Sequence, residues 1–109
     1  MTGHGLAPAA ALAHAARLLA EHGFAVVARN ERGDSLYLQP GGCGFALRLS
    51  NHARTPKQRR RRTDVLASLV IREARSPEQV AALVAGALRD FQLERNRRET
   101  QTSGAASRK

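Results

Sequence analysis

The sequence predicts a single α+β domain with the element order α-β-β-β-β-α, in which an antiparallel meander sheet carries both helices on one face. Apolar residues recur at helical spacing near both ends of the chain, and between them lie four strand-like segments, three of which alternate on two faces. A chain of 109 residues suffices for one small core. We expect residues 8–92 to form the domain. Residues 1–7 should be frayed, and 93–109 should be a polar basic tail, partly helical and then disordered.

The two helices are predicted from their start signals and their apolar stripes. Pro8 suits a first helical turn and Gly23 suits the position just after a helix, which predicts a first helix over 8–22. Ser76-Pro77-Glu78-Gln79 matches a capping box with proline at the first helical position, so the second helix should begin at 77 and can extend into residues 92–99. Its apolar stripe consists of Val80, Leu83, Val84, Ala87, Leu88 and Phe91.

Strands are predicted over 24–30, 35–39, 45–50 and 64–72, and the last three show two-residue periodicity. The turn 31–34 and the glycine-rich segment 40–44 are typical hairpin connections, so consecutive strands should pair antiparallel. Both helices must bury an apolar stripe, and the sheet offers one apolar face. The opposite face should then be exposed, and its members are Tyr37, Gln39, Arg48 and Ser50.

The strongest functional signal is the run Arg59-Arg60-Arg61-Arg62 in a predicted basic loop over 51–63. With Arg54 and Lys57 it places six positive charges and no acid in that segment, within a chain of formal net charge +9. Arginine binds phosphate through a two-pronged fork, so the segment favours a polyanionic partner. We predict a nucleic-acid-binding surface formed by Arg48, Arg54, Lys57, Arg59, Arg60, Arg61 and Arg62. A solvated loop and a localisation signal are the other interpretations of this run.

The remaining reactive side chains give weaker signals. His52 ends the third predicted strand beside several arginines and is a candidate general base for metal-independent RNA cleavage. His14 and His22 lie two helical turns apart, and Cys43 sits in a glycine-rich turn without a readable partner, so we expect no metal and no cofactor. One cysteine excludes an intramolecular disulfide and favours the reducing cytoplasm. No apolar stretch reaches the roughly 18 residues of a membrane span.

The layout of residues 15–52 resembles the HicA-type toxins. The resemblance rests on the helix ending in Gly23-Phe24, the turn Gly33-Asp34-Ser35, the strand Leu36-Tyr37-Leu38, the glycine hairpin, and the strand ending in His52. It implies a double-stranded-RNA-binding-domain-like fold and a link to RNA. It also implies a HicB-type partner and cleavage of messenger RNA. The family's catalytic His belongs to a Gly-Ser-His motif that opens the second strand, where this chain has Ser35 or Leu36 and no His.

These observations predict a small, basic, non-enzymatic nucleic-acid-binding module that recognises backbone or shape, with RNA favoured over DNA. One alternative is an accessory factor of a phage or plasmid that docks on an acidic protein surface. Another is a HicA-like ribonuclease that uses His52. The sequence leaves the oligomeric state open.

Overall fold

The computed structural model describes residues 5–30, 35–54 and 56–107, and the side chains of these residues except 58, 59, 61 and 101–107. The fold class is confirmed as α+β. Within the described ranges, the elements in chain order are α1 (Pro8–Glu21), β1 (Phe24–Arg29), β2 (Ser35–Pro40), β3 (Ala46–Ser50), α2 (Pro56–Arg61), β4 (Val65–Val70) and α3 (Pro77–Ser107).

The four strands form one sheet in the order β1-β2-β3-β4. β1 pairs with β2 and β2 with β3 in antiparallel register, as predicted. β3 and β4 instead run parallel, so the prediction of an antiparallel meander is wrong for this last pair. Parallel neighbours need a crossover of about a dozen residues, and the segment 51–64 supplies that length.

The core lies on one face of the sheet, where α1 and α3 pack against it and against each other. Leu38, Leu47, Leu49 and Leu69 point into this layer from the three strands β2, β3 and β4. The apolar stripe predicted for the last helix is confirmed. Val80, Val84, Ala87 and Phe91 are buried, and Leu83 and Leu88 are partly buried against the core. The rings of Phe24 and Phe91 meet edge to face with centroids 5.2 Å apart.

Both ends of the domain are more structured than the sequence predicts. Residues 1–4 lie outside the described range, but Leu6 is not frayed: its N–H donates to the Arg75 carbonyl oxygen at 2.6 Å and its carbonyl accepts from Arg75 N–H at 3.0 Å. At the other end α3 continues through the tail, predicted to be only partly helical, to Ser107. Ion pairs one turn apart, between Glu94 and Arg98 and between Arg95 and Glu99, support this polar extension.

The two predicted caps are confirmed. Pro8 occupies the start of α1, and Gly23 follows its end with φ of +85°, a conformation that favours glycine. At α3 the N–H of Gln79 donates to Ser76 Oγ at 3.1 Å, and the N–H of Ser76 donates to Gln79 Oε1 at 2.9 Å. This reciprocal pair is the capping box that the sequence predicts.

The basic segment is not simply a loop. Residues 56–61 form the short helix α2 within the crossover. The sequence carries a signal for it, because Thr55-Pro56-Lys57-Gln58 repeats the pattern of the capping box before α3. The crossover touches the second face of the sheet at both ends: His52 contacts Ser35 at its start, and Arg62 lies over the Tyr37 ring at its end. The crossover lies over the part of the second face where Ser35, Arg48 and Ser50 are buried, whereas Ser68 on β4 stays exposed.

Candidate functional site

A ladder of polar side chains crosses the second face of the sheet. Ser35 stands opposite Ser50, and Arg48 stands between Tyr37 on one neighbouring strand and Ser68 on the other. Directly paired residues project to the same face, so the five side chains form one patch. The prediction that Arg48 and Ser50 are exposed is wrong, since they are only 1% and 0% exposed. The crossover shields a face that strand periodicity alone left open.

Arg48 is the centre of this patch. Its Nη1 donates to Ser68 Oγ at 3.1 Å, and its Nη2 lies 3.5 Å from Ser35 Oγ and 3.3 Å from His52 Nδ1. Its Nε is buried and has no hydrogen-bond partner. No carboxylate among the residues that the structure describes pairs with Arg48. Within the described residues, the hydrogen-bond partners of this buried positive charge are hydroxyl and imidazole groups, an arrangement with a substantial desolvation cost.

His52 closes the patch on the crossover side. A guanidinium can only donate, so we assign the Arg48 contact to a lone pair on His52 Nδ1 and the ring proton to Nε2. Nε2 then donates to Ser35 Oγ at 3.3 Å. The Ala53 carbonyl also lies 3.3 Å from Nδ1 and would replace Arg48 as its partner only if Nδ1 carried a proton. Both ring nitrogens therefore face protein groups, and one contact must open before His52 acts on an external hydroxyl.

The hydroxyls of the patch form a short chain. Ser35 Oγ and Ser50 Oγ lie 2.7 Å apart, the shortest contact in the patch. Because Ser35 Oγ accepts from both Arg48 and His52, its own proton is directed at Ser50. Sequence reasoning missed the three serines because no motif marks them. The alternation that places Ser35, Ser50 and Arg48 on one face was their only signal.

The positive charges on the crossover differ in whether an acid neutralises them. Arg62 is neutralised by Asp64: its Nε donates to Asp64 Oδ1 at 3.1 Å and its Nη2 to Oδ2 at 3.2 Å. This hydrogen-bonded pair lowers the pKa of Asp64 and raises that of Arg62. Lys57 and Arg60 are exposed, and neither pairs with an acid among the described residues. The side chains of Arg59 and Arg61 lie outside the described set, and Arg54 is half-buried.

The long helix α3 meets the end of the crossover. Arg98 Nη1 donates to the Thr63 carbonyl oxygen at 2.7 Å, and its guanidinium lies 5.6 Å from the centre of the Phe45 ring. Glu94 accepts from both Arg97 and Arg98, and Arg95 pairs with Glu99, so two carboxylates oppose the three arginines of this part of α3. These hydrogen bonds lower the pKa of Glu94. The net positive field on this side therefore comes mainly from the crossover.

The other candidate residues do not form a reactive site. No group of three metal-ligating side chains occurs in the part of the chain that the structure describes. His14 contacts Arg17 on the surface of α1, and Cys43 Sγ accepts from the N–H of Phe45 at 3.4 Å in a local turn. A cleft of about 430 Å³ lies between α3 and the edge of the sheet where β1 begins and β2 ends, and Phe24 and Phe91 line it. His22 also lines it beside Arg89 and Arg95, and among the described residues its lining contains no carboxylate, thiol or hydroxyl that could work with the imidazole.

The fold and the patch define a small α+β protein with a mixed four-stranded sheet and a basic crossover. Comparison with protein-family models, with curated proteins and with solved structures finds no match to this chain. Within the described ranges, no helix is both long and apolar enough to cross a membrane.

Proposed function

We propose that the protein is a small non-enzymatic nucleic-acid-binding module that contacts the phosphate backbone through the crossover 51–64. One observation carries the proposal: Lys57 and Arg60 are exposed and unneutralised within the described residues, whereas the neighbouring Arg62, Arg97 and Arg98 are paired. Exposed cations held on a compact scaffold are what backbone binding requires, since each neutralised phosphate releases counterions. Arg48 is buried, so the proposed binding surface does not include it.

The scaffold supports this surface in two ways. Arg62 anchors the end of the crossover through Tyr37 and Asp64, so the basic segment is held against the sheet at that end. Arg98 joins the same end to α3, which brings the polar extension of that helix beside the crossover. We favour RNA over DNA on the strength of the resemblance of residues 15–52 to HicA-type toxins. A reducing cytoplasm suits a chain with one half-buried cysteine, Cys43, and is part of the proposal.

The test is fluorescence anisotropy of labelled RNA and DNA, single- and double-stranded, across a salt series. We expect the double variant Lys57→Ala/Arg60→Ala to bind more weakly and to lose up to about 2 units of the log–log salt slope. Arg17→Ala/Arg89→Ala is the matched control, because it removes the same charge from exposed positions on α1 and α3. Equal losses in both variants, or no binding by the wild type at moderate salt, would refute a crossover-specific surface.

The two alternatives give different outcomes. An accessory factor that docks on an acidic protein would retain its partner after nuclease treatment, in a complex of defined stoichiometry. A ribonuclease would cleave RNA and lose that activity in His52→Ala. Cleavage that survives this substitution would remove His52 from consideration, whatever the binding data show.

A further inference from the structure

We propose that the cluster around Arg48 is a binding site for a small oxyanion of the phosphate class. The cluster consists of Arg48, His52 and the serines Ser35, Ser50 and Ser68. It lies on the second face of the sheet beneath the crossover and is separate from the exposed cations Lys57 and Arg60. The proposal stands or falls independently of nucleic-acid binding.

The buried charge of Arg48 favours a bound anion. A guanidinium that is 1% exposed has lost nearly all of its hydration, and hydroxyl and imidazole partners offset only part of that cost. Arginines in protein interiors are normally paired with a carboxylate or another anion. An unpartnered buried donor, here Arg48 Nε, calls for a specific explanation such as an ion or a water. A bound anion would balance the charge of the Arg48 guanidinium and accept a hydrogen bond from Arg48 Nε.

The hydrogen-bond donors around the Arg48 guanidinium suit phosphate. Phosphate offers several acceptor oxygens and suits the two-pronged fork of arginine together with neutral hydroxyl donors. Ser68 Oγ and Ser35 Oγ already lie within 3.5 Å of the guanidinium nitrogens. The Ser68 hydroxyl can rotate its proton toward an incoming oxygen, and the hydroxyl of Ser35 and the Nε2–H of His52 can do so when their present hydrogen bonds open. No acid in the described part of the cluster opposes an anion.

An anion can reach Arg48 from the edge of the sheet or from the start of the crossover. Ser68 belongs to the edge strand β4 and is exposed, although its Oγ touches the buried Arg48 Nη1. His52 is half-buried at the start of the crossover. An anion that displaced either contact would free an N–H of Arg48 and take the place of a weaker, neutral acceptor. The site therefore needs only a side-chain movement of Ser68 or His52 to open, and β4 can stay in place.

The experiment measures thermal unfolding of the full chain in sodium phosphate and in sodium chloride at equal pH and ionic strength. A ligand that binds only the folded state raises the melting temperature with its concentration. We expect phosphate to stabilise the wild type beyond chloride, and Arg48→Met to abolish this difference. Loss of charged hydrogen bonds corresponds to phosphate binding about tenfold to a hundredfold weaker. Lys57→Ala/Arg60→Ala should keep the full response, since those residues lie outside the cluster.

Arg48→Met also separates a ligand site from a structural role. Replacing a buried, unbalanced charge by an apolar side chain is often neutral or stabilising, so this variant should be at least as stable as the wild type in chloride. Should it fail to fold, Ser68→Ala keeps Arg48 and removes one donor, and it should weaken the phosphate response by severalfold. A wild type that responds equally to phosphate and chloride overturns the proposal. So does a response that survives Arg48→Met or disappears in Lys57→Ala/Arg60→Ala.

Discussion

The guanidinium of Arg62 lies 4.1 Å from the centre of the Tyr37 ring, so the last residues of the basic crossover rest on the second face of the sheet. Arg62 also pairs with Asp64, just before β4 begins. A single arginine thus joins the crossover to the strand it precedes and to β2, two strands away in the sheet. The contact fixes the end of the crossover that carries the exposed cations Lys57 and Arg60.

Replacing Tyr37 by Leu should loosen the crossover. An exposed cation–π contact is worth about 0.5–1 kcal/mol, which corresponds to a roughly two- to fivefold larger population of the open crossover. Limited trypsin digestion measures this directly, because the segment is rich in Arg and Lys. Tyr37→Phe keeps the ring and should be cleaved at the wild-type rate. Identical cleavage of Tyr37→Leu and wild type would show that the ring does not hold the segment.

Asp64 should make stability depend on acidic pH. The hydrogen-bonded Arg62 lowers the pKa of Asp64, so the pair stabilises the fold above the ordinary aspartate pKa near 3.9. That contribution is lost as the pH falls through the lower pKa of the folded state. Asp64→Asn should therefore be less stable than the wild type at pH 7, by less than about 1 kcal/mol because the pair is partly exposed. The melting temperatures should begin to converge below about pH 4 and become equal only below the lowered pKa of Asp64 in the folded state. A difference that stays constant with pH would contradict this role.

Ser76 should contribute to stability through the capping box of α3. Ser76→Ala removes the acceptor for the Gln79 N–H and should destabilise the protein by about 1 kcal/mol. Ser76→Asp supplies another good N-cap acceptor and should retain most of the wild-type stability. Urea unfolding of the three proteins gives the comparison. A loss as large in Ser76→Asp as in Ser76→Ala would point away from capping.

Phe91 should be among the most sensitive positions in the core. It is 2% exposed and packs edge to face on Phe24, so Phe91→Ala should cost about 3–5 kcal/mol. The free energy of unfolding of a domain of this size is small, so we expect the variant to be partly unfolded at 37 °C. Leu93→Ala in the same helix is the control, because Leu93 is 60% exposed and should change stability little. Circular dichroism with urea titration measures both.

The sequence alone determined the helices that pack on the sheet and the strands β1, β2 and β3. Their signals are local: Pro8 and Gly23 bound α1, Ser76 and Gln79 cap α3, and two-residue alternation marks β2 and β3. The charge of the basic run is also local, so its candidacy for polyanion binding follows from composition. Its partner remains a prediction.

Only the tertiary structure decided the direction of β4 and the environment of Arg48. Alternation along a strand is the same in either direction, so the pattern over 64–72 could not distinguish parallel from antiparallel pairing. Once β4 runs parallel, its crossover reaches the second face, and Arg48 changes from an expected surface residue to a buried one. Burial depends on what covers a side chain from distant parts of the chain. For this reason the cluster of Arg48, His52 and three serines appears only in the folded protein.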